Sequence, residues 1–198
     1  MKLSPKSLII AVVFVLLILG YYYYLSNMSQ KNVTDTDQLT DVEMVVTTDL
    51  EHNYPPTPRE VIRFYVDIQK CYYNQEYEDA DLEKMAGQAE KLFDEDLLAK
   101  NPHEQFLTSL KQDVANYKNN GRTLNVTLPA SSEVVYRTID GRDTAYLTCV
   151  YYVREGGNYS ATNQTFILRK DNAGQWKIYG FLTGGIPALE TETETAGT

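Results

Sequence analysis

Apolar residues along this chain follow three successive patterns. From Leu8 to Leu25 (LIIAVVFVLLILGYYYYL) eighteen residues pass without a charge. A helix of that run would be about 27 Å long, close to the ~30 Å hydrocarbon core of a bilayer. From Val61 the apolar positions recur every three or four residues, the period of helices with one buried face. Beyond Arg122 the period drops to two, the signature of half-buried strands.

The helical region opens on Thr57-Pro58-Arg59-Glu60, a capping box with proline in the first helical position. Val61, Phe64, Tyr65, Ile68, Cys71 and Tyr72 then form the stripe of a first helix. A second helix is expected from Asp81 to Ala99, with Leu82, Met85, Ala86, Ala89, Leu92, Phe93 and Leu97 inward. Asn101-Pro102-His103-Glu104 repeats the capping logic for a third, whose core face is Phe106, Leu107, Leu110, Val114 and Tyr117. Asn119-Asn120-Gly121 stops it. Strands are expected through Leu124, Val126 and Leu128, then Val134, Tyr136 and Thr138, then Thr144–Arg154, Thr162–Lys170 and Gln175–Leu182. The turns Asp140-Gly141-Arg142, Gly156-Gly157-Asn158 and Asp171–Gly174 separate the last four of these. Three helices followed by four or five antiparallel strands give an α+β domain, a curved sheet with helices on one face.

The segments outside this region carry most of the charge. The formal net charge is −9. Ser26–Pro56 holds six acids and one lysine, and the tail after Leu182 adds three glutamates. The domain between is nearly balanced, without the basic patch that nucleic-acid binding requires. The expected layout is a cytoplasmic N-terminus over residues 1–7, a transmembrane signal anchor over 8–25, and a flexible acidic spacer over 26–56. The domain follows over 57–182, then a disordered acidic tail over 183–198. Within the spacer, Val42, Met44, Val45 and Val46 are an apolar island, either a chance cluster or an extra strand. Lys2 and Lys6 keep the short N-terminus inside and the domain outside the membrane. A cleaved secretory signal is the alternative. Against it, the apolar run passes directly into Tyr21–Tyr24 with no small-residue cleavage site, and tyrosines suit the lipid–water boundary.

Candidate chemistry is sparse. His52 falls in the spacer and His103 at a helix start, and no acid–base set converges, so no catalytic residue is assigned. No metal site is expected: Glu78, Asp79 and Asp81 lack a calcium-loop spacing. No cofactor is expected either. Cys71 and Cys149 are flanked by core-type residues, which favours two buried thiols over a disulfide. Aromatic residues remain. Tyr65, Tyr72, Tyr146, Tyr151, Tyr152, Trp176 and Tyr179 are the candidates for a ligand site or an interface. In Ala145–Val153, Leu147, Cys149 and Tyr151 are expected to face the helices, and Tyr146, Val150 and Tyr152 to face outward. An outward tyrosine face suggests a homodimer through the sheet.

Helices first, then a meander whose last strand reads Gly174-Gln175-Trp176-Lys177-Ile178-Tyr179-Gly180-Phe181, resembles the nuclear transport factor 2-like superfamily. The resemblance covers Pro58 to Leu182. It extends to small membrane-anchored members from Gram-positive bacteria, many of unknown function. It implies the cone-shaped fold shared with ketosteroid isomerases, whose isomerase-like relatives project a carboxylate base and a tyrosine donor into the cone. No residue of this chain matches those positions. Two readings follow. One is a non-catalytic binding or assembly module outside the membrane, akin to assembly subunits of conjugative secretion machines, whose partner is a cell-envelope protein, a peptide or a small ligand. The other is an isomerase- or hydrolase-type enzyme using tyrosines and one cone carboxylate. A filled cone favours the first, and a buried carboxylate beside a tyrosine hydroxyl favours the second.

Overall fold

The computed structural model describes residues 39–186. The expected cytoplasmic start, the apolar run Leu8–Leu25, the spacer up to residue 38 and the tail from 187 lie outside the described residues. Among the described residues no helix is long and apolar enough to cross a membrane. The described residues form five α-helices: α1 (Asp41–Thr47), α2 (Pro58–Asn74), α3 (Asp79–Lys91), α4 (Glu95–Lys100) and α5 (His103–Asn119). Five strands follow: β1 (Arg122–Thr127), β2 (Val135–Ile139), β3 (Arg142–Glu155), β4 (Asn158–Lys170) and β5 (Trp176–Thr183). The fold is α+β with an open antiparallel sheet, built on more helices than the three the periodicity predicts.

Helix α1 corrects the spacer boundary. Thr40 and Glu43 form a capping box, the Thr40 hydroxyl accepting from Glu43 N at 3.2 Å and the Glu43 carboxylate from Thr40 N at 2.7 Å. Val42, Val45 and, further on, Leu50 are buried in the common core. The apolar island is therefore a docked helix, neither a chance cluster nor a strand. Gln88 of α3, itself buried, holds the end of α1: its amide nitrogen lies 3.2, 3.2 and 2.8 Å from the carbonyls of Val45, Val46 and Thr48. Those carbonyls are the groups a helix end leaves without partners. Tyr54 donates to Trp176 O at 2.8 Å and tethers the following loop to β5.

Helix α2 starts where its capping signature predicts, Thr57 accepting from Glu60 N, but the reciprocal bond from Thr57 N to Glu60 that completes a capping box is not made. The Glu60 carboxylate takes the Thr57 hydroxyl at 3.0 Å. The helix expected over Asp81–Ala99 is two helices, interrupted at Leu92–Asp94. There Phe93 forms a parallel bridge with Ile178, with Ile178 N donating to Leu92 O and Asp94 N donating to Ile178 O, both at 2.8 Å. Asp94 then caps α4 by accepting from Asp96 N at 3.0 Å. For α5 the residue before the helix is Pro102, which supplies no side-chain cap. Asn101 instead returns its amide to Leu97 O at 2.9 Å and closes α4.

The strands lie close to where period-two alternation places them, except that β4 begins at Asn158, four residues before the expected Thr162. β3 is central: β1 and β2 share one of its edges, and β4 then β5 follow on the other. The β2–β3 turn has positive φ at both central residues, Asp140 (50°) and Gly141 (75°), the geometry of a tight hairpin that only glycine and a few polar residues adopt without strain. Across the sheet Ala145 pairs with Leu168 and that with Ile178, while Leu147 pairs with Phe166. These residues form the buried inner face on which α2 packs. The expected tail does not begin at Thr183, which ends β5. Gly184 N donates to Asn163 O at 2.9 Å, and Gly184 O accepts from the buried Thr165 hydroxyl at 2.6 Å.

Replacing Gln88 by leucine leaves the Val46 and Thr48 carbonyls without their donor and Val45 O with only the 3.4 Å bond from Thr48 N. The expected cost is about 1–3 kcal/mol, read as a lower urea midpoint, with new proteolytic cleavage confined to residues 40–56. An unchanged midpoint would show that α1 contributes little to the core.

Candidate functional site

The space between helices and sheet is occupied by rings. Tyr65 of α2 meets Phe93 and Phe166 edge-on, with centroids 5.7 and 5.9 Å apart, and Phe93 meets Phe106 at 5.7 Å. Such edge-to-face packing is favourable beyond the area it buries. Tyr151 lies against Phe166 and donates its hydroxyl to Gln69 Oε1 at 2.7 Å. Tyr72 is buried on the same helix as Tyr65, its hydroxyl without a protein partner. Tyr73 donates to Asp113 Oδ2. Burial raises the Tyr65 phenol to about 12 and pushes those of Tyr72, Tyr73 and Tyr151 higher. These phenols stay protonated, those of Tyr73 and Tyr151 as hydrogen-bond donors, and are unsuited to acting as bases at neutral pH.

Among the described residues Asp94 is the one buried carboxylate, 3% exposed. It is not beside a tyrosine hydroxyl. Arg169 of β4 reaches both Asp94 oxygens and donates also to Asp96 Oδ2 at 2.6 Å. The guanidinium lies 3.7 Å from the Tyr179 ring centroid. The carboxylate is thus paired with a planar, bidentate partner in an ion knot, beside a pocket of about 210 Å³ that Asp94 lines together with Phe93, Glu95 and Lys177. His103 is the first residue of α5, with Nδ1 2.8 Å from Glu90 Oε2, a hydrogen bond that raises its pKa. His52 is paired with Asp49 in the same manner at 2.7 Å. Among the described residues no group of three potential metal ligands converges.

The seven aromatic candidates do not form one surface. Tyr65, Tyr72 and Tyr151 belong to the interior. Trp176 is buried near one sheet corner, against Tyr136 at 5.8 Å and with the Lys170 ammonium 5.0 Å from its ring centroid. Tyr146, Tyr152 and Tyr179 are on or beside the outer face. Of these, Tyr146 is only 8% exposed, with the Arg137 guanidinium over its ring at 5.0 Å. This departs from the expectation of an outward, accessible Tyr146. The accessible part of the outer face lies toward the β3–β4 turn: Tyr152 and Tyr159 stack at 5.8 Å beside Val150, and Leu182 of β5 lies on the same side. Tyr159 and Leu182 are exposed; alternation along β4 and β5 was enough to place them on this face.

Cys71 and Cys149 are both buried and free. Burial pushes their thiols up to about 11 and about 12. For a thiol or phenol whose folded value is raised, stability is complete below the unfolded value and is lost as pH climbs toward the folded one. The ordinary values are about 8.5 for thiols and about 10 for phenols, so the protein should lose stability progressively between about pH 9 and 12. A cooperative rise in phenolate absorbance, coincident with loss of near-ultraviolet dichroism, is expected. Gradual titration of every tyrosine near its ordinary value would contradict the packing above.

Compared with known proteins, the chain matches no curated protein. One family, described as a domain of unknown function and designated DUF6715, matches residues 1–181. That match takes in the leading apolar run, both helical and sheet layers, and all seven aromatic candidates; the chain belongs to the DUF6715 family.

Proposed function

We propose that this protein is a non-catalytic binding or assembly module of the bacterial cell envelope, held outside the membrane by the helix of residues 8–25, with a body of the nuclear transport factor 2-like kind. One observation carries the reading. Where a catalytic relative would keep an open cone with a carboxylate facing a tyrosine, this interior is filled by Tyr65, Phe93, Phe106, Tyr151 and Phe166. The buried carboxylate is consumed by Arg169 outside that space. A general base must be free to take the proton it removes, and both Asp94 oxygens are engaged by Arg169. The isomerase- or hydrolase-type alternative has no such base among the described residues.

The open α+β sheet with helices against one face is compatible with the superfamily resemblance. Docking is assigned to the outer sheet face. Val150, Tyr152, Tyr159 and Leu182 present apolar area there, and tyrosines of this kind are enriched where proteins meet. These four side chains are uncharged, which suits a second copy, and Arg154, directly across from Tyr159, is among the described residues the one charge beside them.

Two measurements test this. On intact cells, added protease should remove a C-terminal epitope while an N-terminal one survives; protection of the C-terminus would overturn the placement. In mild detergent the full chain should sediment as a dimer, and Val150→Asp with Tyr152→Lys should return it to monomer by introducing charges that must be desolvated. A monomeric parent chain at high micromolar concentration would remove the sheet face as the self-docking surface.

A further inference from the structure

The helical layer carries an open groove of about 460 Å³ between α1 and α2. Its banks are two helix stripes. Asp41, Met44, Val45 and Thr48 line one side, and Phe64, Asp67, Lys70 and Cys71 the other. Each set follows the spacing that puts residues on one helix face, so both helices present a face to the gap without closing it. The floor is apolar, through Val45, Phe64 and Cys71, and Met44 is half exposed at the rim. The volume lies within the ~300–1,000 Å³ range of small-molecule sites.

The charges on the rim are unusual for groups so placed. Lys70 follows Asp67 by one helical turn, yet among the described residues neither belongs to an ion pair. Asp41 faces the groove from the other helix, with one carboxylate oxygen accepting from Gln75 Nε2 at 3.1 Å. Burial pushes the Asp67 carboxyl up, Lys70 and Arg63 oppose this, and the Asp41 charge adds to it. Two carboxylates from separate elements and one ammonium thus border an apolar floor with their strongest interactions unmade.

We infer that this groove binds a zwitterion with an apolar body, of the free α-amino acid type. Asp67 and Asp41 take its ammonium, Lys70 takes its carboxylate, and the side chain lies over Met44, Phe64 and Cys71. A site built to pair both charges rejects an analogue lacking either, because the unmatched rim group must be desolvated without a partner. This inference goes beyond the docking role of the outer sheet face and does not depend on it, since the groove is formed by helices alone.

Calorimetric titration of the full chain in nanodiscs tests it with three probes. These are L-phenylalanine, L-phenylalaninamide, which keeps only the cation, and N-acetyl-L-phenylalanine, which keeps only the anion. Phenylalanine should bind, and each analogue should bind at least tenfold more weakly. Asp67→Asn and Lys70→Met should each weaken phenylalanine at least tenfold; both positions lie outside the core, so the circular dichroism spectrum should be unchanged. Met44→Trp, which fills the groove while keeping all three charges, should also abolish binding. Equal or tighter binding of the amide or the acetyl derivative, no heat with phenylalanine, or binding indifferent to the variants would each overturn the inference. None of these outcomes alters the sedimentation of Val150→Asp, so the two readings fail separately.

Discussion

The exchange of backbone hydrogen bonds between Ile178 and the Leu92–Asp94 segment is the constraint on which the rest of this fold depends. A helix satisfies its own backbone and normally meets a sheet through side chains alone. Here the helical layer gives up three residues of helix to become, for one bridge, an extra strand beside β5. The position of that break fixes everything on either side. It turns Phe93 toward Tyr65 and Phe106, leaves Asp94 to start α4, and brings that carboxylate within reach of Arg169 on β4. One aspartate therefore caps a helix and neutralises an arginine. Removing a partner from such a buried pair leaves a charge stranded, the costly case.

The same constraint shapes what the molecule can do. Because Phe93 is held by the bridge, the ring cluster it joins cannot relax outward to open a cavity, and packed interiors transmit rather than absorb such restraints. That interior volume is given to hydrophobic stabilisation. The surfaces proposed above for recognition lie elsewhere, on the outer sheet face and in the groove beside α1. That groove exists because α1 is docked at its far end by Gln88 and at its core face by Val42 and Val45, while among the described residues nothing fills the gap beside its remaining face.

The sheet was legible almost residue by residue, because alternation and glycine turns are local signals. Arg142–Glu155 and Trp176–Thr183 follow directly from β-rich runs bounded by Asp-Gly and Gly-Gly. The helices were less so. Residues 81–99 keep a continuous apolar stripe, and nothing local announces that a distant strand will claim the backbone at Phe93; the break is a tertiary event overriding propensity. Helix α1 was missed for the opposite reason. Its two turns are too short to establish a period, and the surrounding threonines and aspartates resemble a spacer. The Thr40–Glu43 capping box was the one available signal, the same pattern that located α2 at Thr57. For the candidate site, sequence composition identified the aromatic residues but not their partition. Tyr65 and Tyr152 differ in role only because one lies on a helix facing the sheet and the other on the sheet's far side.

A cysteine illustrates how placement decides chemistry once residue type is known. Cys71 and Cys149 share type, burial and a raised thiol, and reactive thiols are lowered ones. Cys149 sits in the sheet core, where it is only volume. Cys71 occupies the wall of the α1–α2 groove, where a small sulfur keeps the floor apolar and the gap wide. A larger side chain there would close the space from beneath, and a polar one would need a partner that the floor does not provide. The open groove and the filled interior thus differ in where their bulk lies: rings interlock where helix meets sheet, and Cys71 leaves room on the wall where α1 meets α2.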